Sequence, residues 1–83
     1  MSRRYRSTAD DRDALMEILQ EKVTRNGELL TEMNEIIRKY KGEGPENYDE
    51  QDKITILNNF RERKTLNAEI EELQSRIEAS LRQ

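Results

Sequence analysis

In the first half of the chain the apolar residues follow a helical rhythm. Met16, Leu19, Val23, Asn26, Leu30, Met33, Ile37 and Tyr40 are separated alternately by three and four residues without a slip. That is the heptad pattern of a helix that buries one face against another helix, and only Asn26 interrupts it with a polar side chain. Leu15, Ile18, Leu29 and Ile36 lie beside this seam. They widen it into a stripe broader than a two-stranded coiled coil needs, so the pattern predicts burial against more than one neighbour. The second half repeats the theme in two blocks, Ile54, Leu57 and Phe60, then Leu66, Ile70, Leu73, Ile77 and Leu81, with a polar gap between them.

Helix-breaking residues concentrate in Gly42-Glu43-Gly44-Pro45-Glu46-Asn47, which holds the only proline and two of the three glycines. The expected organisation is a basic flexible tail over 1–7, a helix over 8–41, an acidic turn over 42–48 and a second helix over 49–82. Ser7 and Thr8, each followed three residues later by an aspartate, are start signals for the first helix, and Arg38, Lys39 and Lys41 suit its negative end. Asn47 or Asp49 can cap the second. A short turn between long helices predicts an antiparallel hairpin, and folding about Pro45 pairs positions whose numbers sum to about 90. Met16 then meets Leu73, Leu19 meets Ile70, Val23 meets Leu66, Leu30 meets Phe60 and Met33 meets Leu57. Asn26 falls opposite Arg63 or Lys64, so the polar interruptions of the two helices coincide in a belt. Each helix is roughly 50 Å long at 1.5 Å per residue, and a lone pair leaves much of each stripe in water. The expected fold is therefore all-α, a coiled-coil hairpin that oligomerises into a four-helix or larger bundle.

Composition agrees with a helical interaction protein. Leu, Ile, Val and Phe make up only 17 of 83 residues while 40% are charged, so a compact globule is a poor fit unless periodicity concentrates the apolar groups. The absence of Cys and His removes disulfides, the common zinc sites, the usual nucleophile and the usual general base. No catalytic constellation, metal site or cofactor site is expected. A net charge of −3 is too balanced for a general nucleic-acid binder. No apolar run approaches the roughly 20 residues that span a bilayer, and the N-terminus lacks a signal-peptide core. The expectation is an intracellular protein, cytoplasmic or elsewhere in the cell, with no membrane partner.

Three features are candidates for contact with partners or ligands. The belt residues Arg25, Asn26, Asn59, Arg63 and Lys64 offer donors to an anion or nucleotide, although a polar layer at a heptad position is also a device for fixing register. Arg3, Arg4, Tyr5 and Arg6 at the N-terminus interleave cations with an aromatic ring, the one place where nucleic acid could be held. The acidic segment 43–52 carries Glu43, Glu46, Asp49, Glu50 and Asp52 at the end of the hairpin. Its "GEGPENY" resembles the tip of the bacterial transcript-cleavage factors, antiparallel coiled coils that enter the RNA polymerase channel. That resemblance implies that Glu43 and Glu46 match the tip acids that help hold a catalytic magnesium, while Gly44 and Pro45 depart from the motif. The leading expectation is a non-catalytic oligomerising coiled coil acting as a structural, adaptor or inhibitory module on itself and another protein. The alternatives are a regulator that inserts its tip into a large enzyme and a binder of small anions at the belt.

Overall fold

In the computed structural model of the chain, the backbone is described over residues 3–82 and the side chains over residues 11–82. Two helices, α1 (Arg3–Lys39) and α2 (Glu50–Leu81), pack against each other as a hairpin 62 Å long and 17 × 15 Å across. Helix α1 runs through Ser7 and Thr8 to Arg3, so the helix starts earlier than those start signals predict. No glycine or proline occurs among residues 3–8 to stop it, and serine or threonine caps only where the chain turns. Its other end comes two residues earlier than expected. Tyr40 and Lys41 donate 3₁₀-type bonds to Ile37 and Arg38, and Lys41 itself takes a left-handed φ of 51°, followed by Gly42 at 86°. The reversal therefore begins one residue before the glycine.

A single 3₁₀ turn at Pro45–Asn47 leads to Asp49, whose side chain accepts the Asp52 N–H at 2.9 Å and so caps α2. Tyr40 ties the turn to both helices. Its hydroxyl donates to Asp52 Oδ2 at 2.6 Å and accepts the Asp49 N–H at 2.9 Å, and its ring stacks on Tyr48 with centroids 4.3 Å apart. Lys39 Nζ donates to the same Asp52 oxygen at 3.0 Å. The Tyr40 hydroxyl and then Lys39 hold the Asp52 carboxyl below its ordinary pKa. For Tyr40, the Asp49 N–H pulls the phenol pKa down. The bond to Asp52, lost hydration and the two carboxylates outweigh it and leave the phenol above its ordinary value.

The register is the one expected from the turn. Side-chain bonds between the helices join Arg12 to Ser80, Lys22 to Glu69, Arg25 to Glu62, Asn26 to Arg63, Asn59 to Glu32 and Tyr40 to Asp52. Those numbers add to between 87 and 92. The helices are, however, rotated about their axes relative to the pairing drawn from the heptads. The strip of α1 turned toward α2 is Leu15, Leu19, Lys22, Asn26, Leu29, Met33, Ile36 and Tyr40, all buried or half-buried, and on α2 it is Asp52, Ile56, Asn59, Arg63, Leu66, Ile70, Leu73 and Ile77. Met16, Val23 and Leu30, expected to meet Leu73, Leu66 and Phe60, are instead exposed, as are Ile37, Ile54, Leu57 and Phe60. A pair of helices can bury only a narrow strip of each, and the hairpin takes one edge of a wide stripe. Leu19, Asn26, Met33 and Tyr40 belong to both edges. On α2 the buried strip keeps its three–four spacing straight through the supposed gap, with Asn59 and Arg63 as members.

Candidate functional site

The belt lies at mid-height of the hairpin, where α1 presents Lys22, Asn26 and Glu32 and α2 presents Asn59, Arg63 and Glu69. Arg63 Nε donates to Asn26 Oδ1 at 2.7 Å, and Asn26 Nδ2 donates in turn to Asn67 Oδ1 at 2.7 Å. Asn59, the one buried polar residue among those described, donates to Glu32 Oε1 at 2.6 Å and to the Leu29 carbonyl at 3.4 Å. Arg25 forks onto Glu62 at 2.9 and 3.4 Å, and Lys22 meets Glu69 at 3.0 Å. Among the described residues no buried side-chain nitrogen or oxygen lacks a partner. Arg25, Asn26, Asn59 and the Nε of Arg63 are thus engaged with partners in the hairpin, while Arg63 and Lys64 line a shallow hollow beside the belt with Phe60 and Asn67. A network of this kind favours one register, because sliding either helix by a turn leaves several polar groups without partners.

At the tip, Glu43 and Glu46 are exposed in the turn, while Asp49 and Asp52 are engaged in capping and in the Tyr40 contacts. Among the described residues no three acidic side chains converge in a way that could hold a metal ion. Arg3, Arg4, Tyr5 and Arg6 fall within the backbone span of α1, and their side chains lie outside the described residues.

The largest feature is one that the heptads drew as core. Among the described side chains four hydrophobic residues are buried, Leu29, Met33, Leu66 and Leu73, whereas nine large ones are exposed by 40% or more. Met16, Val23, Leu30 and Ile37 form a line along α1 at seven-residue steps. Met16 and Val23 line one long hollow, and Ile37 shares a second with Leu57 and Phe60 of α2, walled by Pro45 and Tyr48. Of the other seam residues, Leu19, Met33, Leu66, Ile70, Leu73 and Ile77 lie between the helices. Gly27 was not singled out by the heptad reading, since it sits just off the stripe; its place at the middle of an exposed helix is the signal that could have drawn attention to it.

The fold and this face define the molecule as an antiparallel two-helix hairpin with an exposed apolar side. No helix among the described residues is long and apolar enough to cross a membrane. No family model, curated protein or solved structure matches the chain.

Proposed function

We propose that this chain is a non-catalytic, oligomerising coiled-coil module that works through protein–protein contact, as a structural, adaptor or inhibitory element. The observation that carries this reading is the imbalance, among the described side chains, between nine exposed large apolar residues and four buried ones. Six of the nine, Met16, Val23, Leu30, Ile37, Leu57 and Phe60, border one side of the hairpin, and exposed apolar surface gathered in this way is of the kind that marks an interaction site. Heptad spacing in that surface supports a helical occupant, because knobs at seven-residue steps fit the holes of another helix. An insertion function at the tip has weaker support, since two of the five acidic side chains there are occupied in closing the turn. Sedimentation equilibrium at micromolar concentration tests the proposal. The expected result is a mass that is a multiple of the single chain with near-complete helical circular dichroism; a monomer with the same helicity contradicts it.

A further inference from the structure

The apolar face has a symmetry of its own. Asp13, Gln20, Gly27 and Asn34 follow one another at seven-residue steps along the outer flank of the Met16 stripe. Reversed about Gly27, this row lays Gln20 on Asn34 and Gly27 on itself. The same reversal lays Met16 on Ile37 and Val23 on Leu30, an offset of only one residue. Amide, small and apolar positions find a match in a second α1 running the opposite way.

Gly27 has no other role visible in the fold. It sits in the middle of α1, where glycine weakens a helix, and a Cβ built on it meets nothing within 4 Å. Nothing inside the hairpin calls for the missing side chain, whereas close approach of a second helix would.

We propose that a second copy of this chain covers the face, packed α1 against α1 antiparallel about a two-fold axis at Gly27. The proposal rests on the self-association reading and gives it a geometry. The other two-fold arrangement, with both tips at one end, sets Val23 and Met16 against Asn67 and Gln74 of the second copy's α2. Antiparallel pairing of α1 instead places all four apolar residues of the stripe on apolar partners. On α2 it brings Lys64 to its own copy and Phe60 to Asn67, so that side forms a polar, splayed flank while the close contact lies along α1. One side of a body 62 Å by 17 Å spans about 1,000 Å², and the close contact along α1 takes about half of it, so against the roughly 800 Å² that each partner contributes to a standard interface this contact is a small, concentration-dependent one.

Because the natural chain has no cysteine, disulfide trapping reads this geometry directly. Under mild oxidation Gly27→Cys should form a covalent dimer. Met16→Cys and Ile37→Cys should form one only when the two variants are mixed, because like positions lie roughly 30 Å apart across the axis. The mixture decides if the new Cβ at position 27 itself disturbs the contact. Gly27→Gln should keep the hairpin helical and raise the dissociation constant at least about tenfold. A chain that sediments as an oligomer but traps Met16→Cys with itself, or fails to trap the mixture, overturns this geometry and leaves the self-association reading standing. An unchanged dissociation constant for Gly27→Gln does the same, and a chain that sediments as a monomer overturns both.

Discussion

The strip between the helices and the face beside it use opposite chemistry. Between the helices, Lys22, Asn26, Asn59 and Arg63 occupy heptad positions and are held by a network of side-chain bonds, so the middle of the interior is polar. On the outer face of α1 the corresponding line is Met16, Val23, Leu30 and Ile37, without a polar member. Burial of apolar surface is non-directional, whereas a hydrogen-bonded network fits one alignment only. The inner strip therefore defines which residues of the two helices stand side by side, and the outer face carries the larger unsatisfied drive to exclude water. A hairpin built this way is aligned by its interior and completed by what it packs against.

Adjacent leucines on the two surfaces make the sharpest break in that comparison. Leu29 is 2% exposed and Leu30 is 40% exposed. Leu29→Ala should cost about 3 kcal/mol of stability at any protein concentration, by lost transfer energy and the cavity left behind. Leu30→Ala should cost no more than about 1 kcal/mol in the dilute single chain and progressively more as the chain associates. Urea unfolding of both variants at two concentrations a hundredfold apart checks this, and equal concentration dependence for the two would remove the distinction between the surfaces.

A smaller effect is expected at the belt. Asn59→Ala should destabilise the hairpin by about 1–2 kcal/mol, because it removes the partner of Glu32 and leaves space beside Leu29. Asn59→Leu should recover most of that loss while weakening the preference for one register, since an apolar side chain fills the site without demanding a particular neighbour. Cysteine pairs at Leu19 and Ile70, compared with pairs displaced by one turn, report the register in each variant. A Leu variant that is no more stable than the Ala variant would mean that the Asn59 bonds do more than align the helices.

The smallest effect belongs to the tip. Asp52 has a folded-state pKa below its unfolded value, so its contribution is fully present above the ordinary carboxylate range and disappears as pH falls through the lower, folded value. Tyr40 has its pKa raised, so its contribution is present below the ordinary phenol range and disappears as pH rises through the folded value. Tyr40→Phe removes the leading cause of the Asp52 shift and should return that carboxyl toward its ordinary pKa in a carbon-detected NMR titration. No movement would show that Lys39 alone sustains it.

Much of this structure was legible in the order of residues because the signals were local. The turn at Pro45, a cap at Asn47 or Asp49 and the summed register near 90 each follow from a few neighbouring side chains, and the coincidence of polar positions set Asn26 opposite Arg63 or Lys64; of these pairs the structure takes Asp49 and Arg63. Which way α1 faces was not legible. Leu29 and Leu30, or Ile36 and Ile37, are both apolar, and two heptad rows one residue apart share Leu19, Asn26, Met33 and Tyr40, so periodicity along α1 alone cannot choose between them. The choice depends on α2, where Asn59 and Arg63 interrupt the apolar spacing and so break the strip that would have shown which row of α1 they face. They are interior positions whose donors meet acceptors across the seam. The start of α1 was misplaced for a simpler reason, since capping residues are also tolerated within a helix.

Met33 and Met16 place one ε-methyl on each surface, with Met33 9% exposed between the helices and Met16 52% exposed on the outer face. Methyl NMR with a soluble paramagnetic probe, recorded over a dilution series, separates the two directly. Met33 should be protected at every concentration. Met16 should be protected when the chain is concentrated and become accessible on dilution, in step with the fall in sedimented mass. A Met16 methyl that stays accessible while the mass remains that of an oligomer would contradict the assignment of the outer face as the surface the chain buries.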